Sequence, residues 1–150
     1  MNVVVIDAQG GKIGKQLVSG IRKALPELEI MAVGANGTAT AAMLSGGAAR
    51  GATGENAVIV ACRSADVILG PIGIAIADSL MGEISPAMAK AVGQSPAKRI
   101  LIPFDHCNNV IAGAAGLPVS KRILLAIEAL KQIVDAQSAN SDDFAVNRRS

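Results

Sequence analysis

The sequence predicts an α/β fold with three layers, in which an open, mostly parallel β-sheet is covered by helices on both faces. Apolar runs of strand length alternate with longer segments of helical periodicity, which is typical of parallel βαβ units. The first run, Val3 to Ile6, is β-branched throughout and apolar on both faces. A strand that helices cover on each side must have this pattern, so this run is predicted to be a central strand.

The other elements follow from periodicity and from the residues that begin and end helices. The first helix is predicted from apolar residues at every fourth position and ends before Pro26. Strands are predicted at 29–33, 67–69 and 99–102, with short ones at 48–53 and 110–112, and helices at 38–44 and 86–93. The last helix is expected to be capped by Ser120 and to bury Ile123, Ile127, Leu130 and Val134. The segment from Gly54 to Cys62 is compatible with a helix or a strand.

Length and composition indicate one domain. The chain has 150 residues, of which 51% are apolar and 17% are charged, with a formal net charge of +2. Domains of roughly 100–150 residues are common and bury enough surface to fold alone. We expect a single domain over residues 1–138, followed by a flexible, polar C-terminal tail over 139–150.

Composition also argues against several functions and locations. With two Phe, no Tyr and no Trp, the chain has almost nothing on which to stack bases, so no nucleic acid partner is expected. The longest apolar stretch, 67–77, is too short to span a membrane and contains Pro71. No secretory signal is recognisable at the N-terminus. Two cysteines are too few for a disulfide framework, so a cytoplasmic protein with free thiols is expected.

In parallel sheets, ligands bind beyond the carboxyl ends of the strands, at the point where the strand order reverses. Four loops qualify by this rule: 7–14, 34–38, 70–73 and 103–109. Glycines in the first three would allow a ligand to approach the backbone closely, and the fourth concentrates polar side chains. The sequence therefore predicts a ligand site where these loops meet.

The first loop gives the most specific signal. Gly10, Gly11 and Gly14 follow a buried strand and open a helix, so free amides and the helix dipole would point at an anion such as phosphate. Lys12 would add positive charge, and Asp7 and Gln9 complete the candidate set from this loop. Gly14 would allow close packing of the helix on the strand.

This loop matches the dinucleotide-binding fingerprint only in part, which favours a Rossmann-like fold without standard nicotinamide chemistry. Gln9 stands at the first glycine position, and the acid expected about 20 residues further on is missing. Asn36, at the end of the second strand, could bind a ribose in its place. The predicted ligand is therefore a phosphate-bearing molecule, a nucleotide or a dinucleotide.

The second and third loops contribute further candidate residues, each of which also has a purely structural interpretation. Thr38 is an N-cap or a phosphate or ribose contact. Gly70, Pro71 and Gly73 either contact a base or ring, or simply end the strand. Asn108 is the candidate from the fourth loop.

The remaining residues of the fourth loop give no predicted catalytic or metal site. His106 is the sole histidine, and its extended-chain neighbour Cys107 would point away from it, so the two are not expected to form a catalytic pair. With Asp105, these residues supply too few well-spaced ligands for a metal. We therefore predict no metal and leave catalytic residues unassigned. Cys62 is expected to be a buried small hydrophobe.

The apolar composition also predicts self-association. Mean hydropathy is +0.43, so a monomer would expose excess apolar surface, which burial between subunits removes. We expect a homo-oligomer, with a two-fold dimer favoured. Light scattering at micromolar concentration should give a mass of twice the 15.1 kDa chain, and a single 15.1 kDa species would contradict this expectation.

Five sequence blocks and a tripeptide resemble, in order, a short bacterial family catalogued only as a domain of unknown function. They are VVVIDAQGGKIGKQL (3–17), AVGANGTATAAML (32–44), GATGENAVIV (51–60), DVILGPIGI (66–74), GEISPAMAKAVGQSPAKRILIP (82–103) and Cys107-Asn108-Asn109. The resemblance covers roughly residues 2–115 and implies a single-domain cytosolic protein. It implies no activity, substrate or catalytic residue.

Three hypotheses for function remain open at this stage. The first is a binding protein or enzyme whose ligand carries a phosphate held by Gly10, Gly11 and the following helix. The alternative is a non-enzymatic, oligomeric interaction subunit in which the glycine turns serve packing. A third is small-molecule transfer or hydrolysis with Asp7, Glu55 or Asp105 as acid or base.

Overall fold

A computed structural model describes residues 1–104 and 109–146, with side chains described up to residue 139. Five strands and five α-helices alternate along these residues, and a 3₁₀ turn, Ile72–Ala75, follows the fourth strand. The strands are β1 (Val3–Asp7), β2 (Ile30–Gly34), β3 (Arg50–Thr53), β4 (Val67–Pro71) and β5 (Lys98–Ile102). The helices are α1 (Lys12–Ala24), α2 (Gly37–Ser45), α3 (Glu55–Ser64), α4 (Pro86–Gln94) and α5 (Val119–Val146).

All strand pairs of the sheet are parallel, and the strand order is β3-β2-β1-β4-β5. In the centre, Val5 pairs with Ala32 on one side and with Leu69 on the other. This is the Rossmann order without its sixth strand. The order reverses between β1 and β4, because the chain returns past β1 after β3. The predicted fold class is therefore confirmed.

The two faces of β1 explain its uniform burial. Val3 and Val5 pack in the core on the side of α1 and α5, whereas Val4 and Ile6 pack in the core on the side of α3 and α4. All four side chains are fully buried. Helices thus cover both faces of the sheet, as a run that is apolar on both faces requires.

The ambiguous middle segment is helical. In α3, Val58, Ala61 and Cys62 are buried, whereas Val60 on the opposite side is exposed. This i, i+3, i+4 spacing is the core-facing pattern of a helix. The short strand predicted just before it is β3, at the edge of the sheet.

Two local predictions near the C-terminus are wrong. Residues 110–112 form no strand: Val110 is 94% exposed and the chain turns at Gly113, whose φ of 82° is left-handed. Ser120 does not cap the last helix, because α5 already begins at Val119. The carbonyl of Pro118 accepts from the amides of Lys121 and Arg122 instead.

Helix α5 also runs further than predicted. Ile123, Ile127 and Leu130 are buried as expected, and Val134 is partly buried against the same core. The helix continues to Val146, past the expected domain end at residue 138, and the flexibility of the tail stays a prediction. Among the helices that the structure describes, none has the length and hydropathy of a membrane span.

Candidate functional site

A cavity of about 350 Å³ opens at the carboxyl ends of β1 and β4, where the strand order reverses. We call it the strand-end cavity. One side is the loop after β1, contributing Asp7 and every residue from Ala8 to Ile13. The other side follows β4 and β5 and consists of Pro71, Ile72, Gly73, Ile76, Ser79, Leu80, Phe104 and Asn109. This is the position at which the fold places ligands.

The loop after β1 turns sharply through two left-handed residues. Gln9 has a φ of 52° and Gly11 a φ of 68°, and the Gly11 amide donates to the Ala8 carbonyl at 3.0 Å. Gln9 thus adopts the conformation that glycine supplies most readily at the first position of the fingerprint. At the third position, a Cβ on Gly14 would lie 2.9 Å from the Asp7 Cβ, so glycine lets α1 pack closely on β1.

The carboxylate of Asp7 occupies part of the anion-binding region at the start of α1. Its Oδ1 accepts from the Ala8 amide at 2.8 Å, and its Oδ2 accepts from the Gly14 amide at 2.7 Å. The side chain is only 4% exposed. Asp7 is therefore an internal anion on amides that a ligand phosphate would otherwise use.

Two amides of the loop remain available to a ligand. The Gln9 amide donates to Glu83 Oε2 at 2.6 Å, and the Gly11 amide is used in the turn. In the part of the chain that the structure describes, no group accepts a hydrogen bond from the amides of Gly10 and Lys12. Both residues line the strand-end cavity, and the Lys12 side chain is exposed beside them. Of the free amides that the sequence predicts in this loop, these two therefore remain, together with the Lys12 ammonium group.

Burial raises the pKa of the Asp7 carboxyl above its usual value of 3.8. Hydrogen bonds from Gly14 and Ala8 act in the opposite direction, and the nearby charge of Glu83 raises the pKa further. The folded protein therefore binds the Asp7 proton more tightly than the unfolded chain does.

A raised carboxyl pKa predicts that Asp7 lowers stability as the pH rises. Its contribution to the free energy of unfolding should fall from pH 3.8, the ordinary pKa, up to the raised pKa of the folded state and then level off. Urea unfolding at a series of pH values checks this by comparison with Asp7→Asn, which cannot titrate. With rising pH, the free energy of unfolding of the natural chain should fall relative to that of Asp7→Asn. A difference that stays constant with pH would contradict the prediction.

The opposite wall of the cavity is apolar and locally braced. The buried Ser79 hydroxyl donates to the Gly73 carbonyl, and the Asp78 amide donates to the Ile84 carbonyl at 2.8 Å. Asp78, Leu80 and Met81 all have left-handed φ values. These bonds hold Leu80 in the wall even though three of the four non-glycine residues from 78 to 81 are left-handed, which is rare.

Arg122 of α5 positions the end of the cavity nearest β5. Its Nη1 donates to the Pro103 carbonyl, its Nη2 donates to the Ala114 carbonyl at 3.0 Å, and its guanidinium lies 5.9 Å from the Phe104 ring centre. A cation at this distance from an aromatic face is attracted to it. Arg122 thereby fixes Phe104 as part of the cavity wall.

Comparison with known proteins identifies the family but no activity. Residues 2–135 match the domain of unknown function DUF3842. The chain belongs to the DUF3842 family. A similar solved structure is a dodecameric FMN-dependent UbiX-like decarboxylase from Escherichia coli O157:H7, with 18% sequence identity and a TM-score of 0.44. The match covers 87% of the present chain and 76% of the decarboxylase chain. No curated protein matches the sequence.

Most of the predicted site residues of this DUF3842 chain lie around the cavity. Seven line it: Asp7, Gln9, Gly10, Gly11, Lys12, Pro71 and Gly73. Gly14 lies beneath the loop with its amide on Asp7. Gly70 is buried in β4 and does not line the cavity, and a Cβ there would lie 2.3 Å from the Ile6 carbonyl oxygen, so the packing of the sheet requires glycine. Asn108 lies outside the described residues, as do Asp105, His106 and Cys107.

The loop after β2 does not reach the cavity. Asn36, and not Thr38, is the N-cap of α2, because its Oδ1 accepts from the Ala39 amide at 2.9 Å. Thr38 is exposed in the first turn of that helix. Neither residue lines the cavity, so this loop supplies a cap at the position expected to contact the ligand.

Glu55 and Cys62, the other reactive residues that the sequence singled out, lie in α3, the first hydrogen-bonded and the second buried. Glu55 accepts from the Ser85 hydroxyl and so joins the start of α3 to the cap of α4. Cys62 is buried, and burial raises the pKa of its thiol to about 11, so the thiolate is scarce at neutral pH. No group of three potential metal ligands occurs within the described residues.

Sequence analysis missed most of the apolar wall and one acidic residue. Ile72, Ile76, Leu80 and Phe104 line the cavity, but an apolar residue after a strand is more often core than ligand contact. Glu83 lies 74 positions from its partner Gln9. No local pattern marks a contact over that separation.

Proposed function

We propose that this DUF3842 chain is a cytoplasmic protein that binds a phosphate-bearing ligand, a nucleotide or dinucleotide, in the strand-end cavity. The observation that carries the proposal is the pair of unpartnered amides of Gly10 and Lys12, two residues that line a cavity of about 350 Å³ at the strand-order reversal. Pockets of about 300–1,000 Å³ are typical of small-molecule sites.

The glycine loop supports an anionic group at one end of the ligand. The two amides and the helix dipole favour negative charge, and the Lys12 ammonium can pair with it. Gly10 supports this placement further. No atom lies within 4 Å of a Cβ built on it, and its φ is not left-handed, so neither packing nor backbone conformation requires glycine there.

The apolar wall supports a ring at the other end. Ile72, Ile76, Leu80 and Phe104, which follow β4 and β5, supply apolar side chains to the cavity lining. A cavity with a few polar groups at one end and an apolar surface at the other orients a ligand that is itself divided into a charged and an apolar part. A nucleotide, with its phosphate and its planar base, has this division.

Calorimetry with a matched pair of ligands tests the proposal directly. We expect AMP to bind and adenosine, which lacks only the phosphate, to bind at least about tenfold more weakly, since hydrogen bonds to a charged group contribute about 1.5–3 kcal/mol each. Equal affinity for the two ligands would contradict a phosphate site. GMP and FMN extend the test to other rings, and a panel in which no phosphate-bearing member binds would overturn the proposal.

A homo-oligomer, with a two-fold dimer favoured, is part of the same proposal. Leu124 and Leu125 support it, because they are 61% and 49% exposed on neighbouring positions of α5. Exposed apolar side chains that form a contiguous patch mark interaction surfaces. The light-scattering measurement described above tests it independently of the ligand.

A further inference from the structure

The two sides of the glycine loop differ, and the difference bears on which nucleotides can bind. On the β4 side lies the strand-end cavity. On the β2 side, Glu83 Oε2 accepts from the Gln9 amide at 2.6 Å and from Asn36 Nδ2 at 2.9 Å. Asn36 Nδ2 also donates to the Gln9 carbonyl at 3.0 Å. Three segments that are distant in sequence are thereby joined across the end of β2.

This cluster occupies the path that a dinucleotide follows in the Rossmann arrangement. There the pyrophosphate lies on the start of the first helix, and the adjoining ribose is held by a residue at the end of the second strand. Here the residue at that strand end, Asn36, is engaged by its own cap and by Glu83 and Gln9. The Gln9 amide is engaged as well, and the Glu83 carboxylate adds negative charge that opposes a second phosphate.

The size of the cavity leads to the same conclusion. About 350 Å³ lies at the lower end of the range for small-molecule pockets. Its lining includes Gln9 but neither Asn36 nor Glu83, so the cavity does not include the cluster at the end of β2. Gly10 and Lys12, the two residues with open amides, do line the cavity, together with the apolar residues that follow β4.

We propose that the site accepts a single nucleotide unit, with its phosphate on Gly10 and Lys12 and its ring toward the β4 wall, and that Glu83 excludes dinucleotides by closing the β2 side. The proposal rests on the proposed function and narrows it to one ligand class. Glu83 acts here as a specificity-determining residue that holds Gln9 and Asn36 in place.

Two pairs of ligands test this proposal by calorimetry, because each dinucleotide contains its mononucleotide partner: FMN with FAD, and AMP with NAD⁺. In the natural chain, for each pair whose mononucleotide binds, the dinucleotide should bind at least about tenfold more weakly than that mononucleotide. Glu83→Ala removes the closure and should bring the ratio of the two dissociation constants toward one. Glu83→Gln keeps an acceptor oxygen without the charge and should retain most of the ratio. Glu27→Ala, which removes an exposed acid before β2 at the opposite end of the sheet, should leave the ratio unchanged.

The outcomes separate the two proposals. If a dinucleotide binds the natural chain as tightly as its mononucleotide, the role of Glu83 is overturned and the phosphate site is not. An unchanged ratio of the dissociation constants in a folded Glu83→Ala protein has the same meaning. Absence of binding by all four ligands overturns the proposed function and this inference with it. The ratio in the natural chain needs no variant, so the test stands even where Glu83→Ala fails to fold.

Discussion

Replacing Gly10 with aspartate should weaken mononucleotide binding at least about a hundredfold, the equivalent of losing two charge-assisted hydrogen bonds of about 1.5 kcal/mol each. A Cβ at this position meets nothing within 4 Å, so the fold can accept the side chain. Its carboxylate would extend beside the amides of Gly10 and Lys12, the two that no described residue occupies. The introduced charge would take the place of the ligand phosphate and repel it.

Gly37→Asp is the matched control for this variant. Gly37 also lies in open space, at the start of α2, and does not line the strand-end cavity. An acid in the first turn of a helix is favourable, so this variant should fold and bind as the natural chain does. Calorimetry with AMP and FMN measures both proteins, and thermal melting confirms that both are folded. A Gly10→Asp protein with unchanged affinity would remove the loop from the site.

Replacing Gly11 with alanine should lower the free energy of unfolding by about 2–5 kcal/mol. A left-handed conformation costs a non-glycine residue about 1–2 kcal/mol, and overpacking costs about 1–3 kcal/mol more. Both costs apply here, because Gly11 has a φ of 68° and its Cβ would lie 2.7 Å from the Ala39 Cα. The contacted atom is backbone of α2, so a side-chain rotation cannot relieve the overlap.

Gly10→Ala is the control one residue away. It adds the same methyl group at a position with free space and an ordinary φ, so stability should change by no more than about 0.5 kcal/mol. Urea unfolding of both variants with a common slope measures the difference. Equal stabilities would mean that the approach of α1 to α2 at Gly11 is not tight in solution. Together, the variants distinguish the glycine that the fold requires from the one left open to a ligand.

Much of the fold was predictable because its determinants are local. The β-branched run of β1 and the Ser85-Pro86 start of α4 each predict their structure from a few neighbouring residues, and the structure contains both. The polar half of the site was predictable for the same reason, since a glycine turn between a buried strand and a helix brings backbone amides to one place. The order of the strands was not predictable, because it depends on pairing across the whole chain.

The rest of the site depends on contacts that a sequence pattern does not encode. Asp7 was a candidate ligand contact, but its carboxylate turns back onto the amides of Ala8 and Gly14. Glu83 reaches Gln9 from a segment with four left-handed φ values between residues 78 and 82, and no turn signature predicts that path. Both residues reduce the number of free donors, which only the folded arrangement reveals.

The strand that carries Asp7 and the glycine loop is hydrogen-bonded on both sides and fully buried on both faces. Amides in such a strand exchange with solvent mainly when the entire molecule opens. We therefore expect the loop to be anchored to a strand whose amides exchange slowly. A ligand held there would be released by its own dissociation or by global unfolding. Its binding should therefore raise the melting temperature of the whole domain.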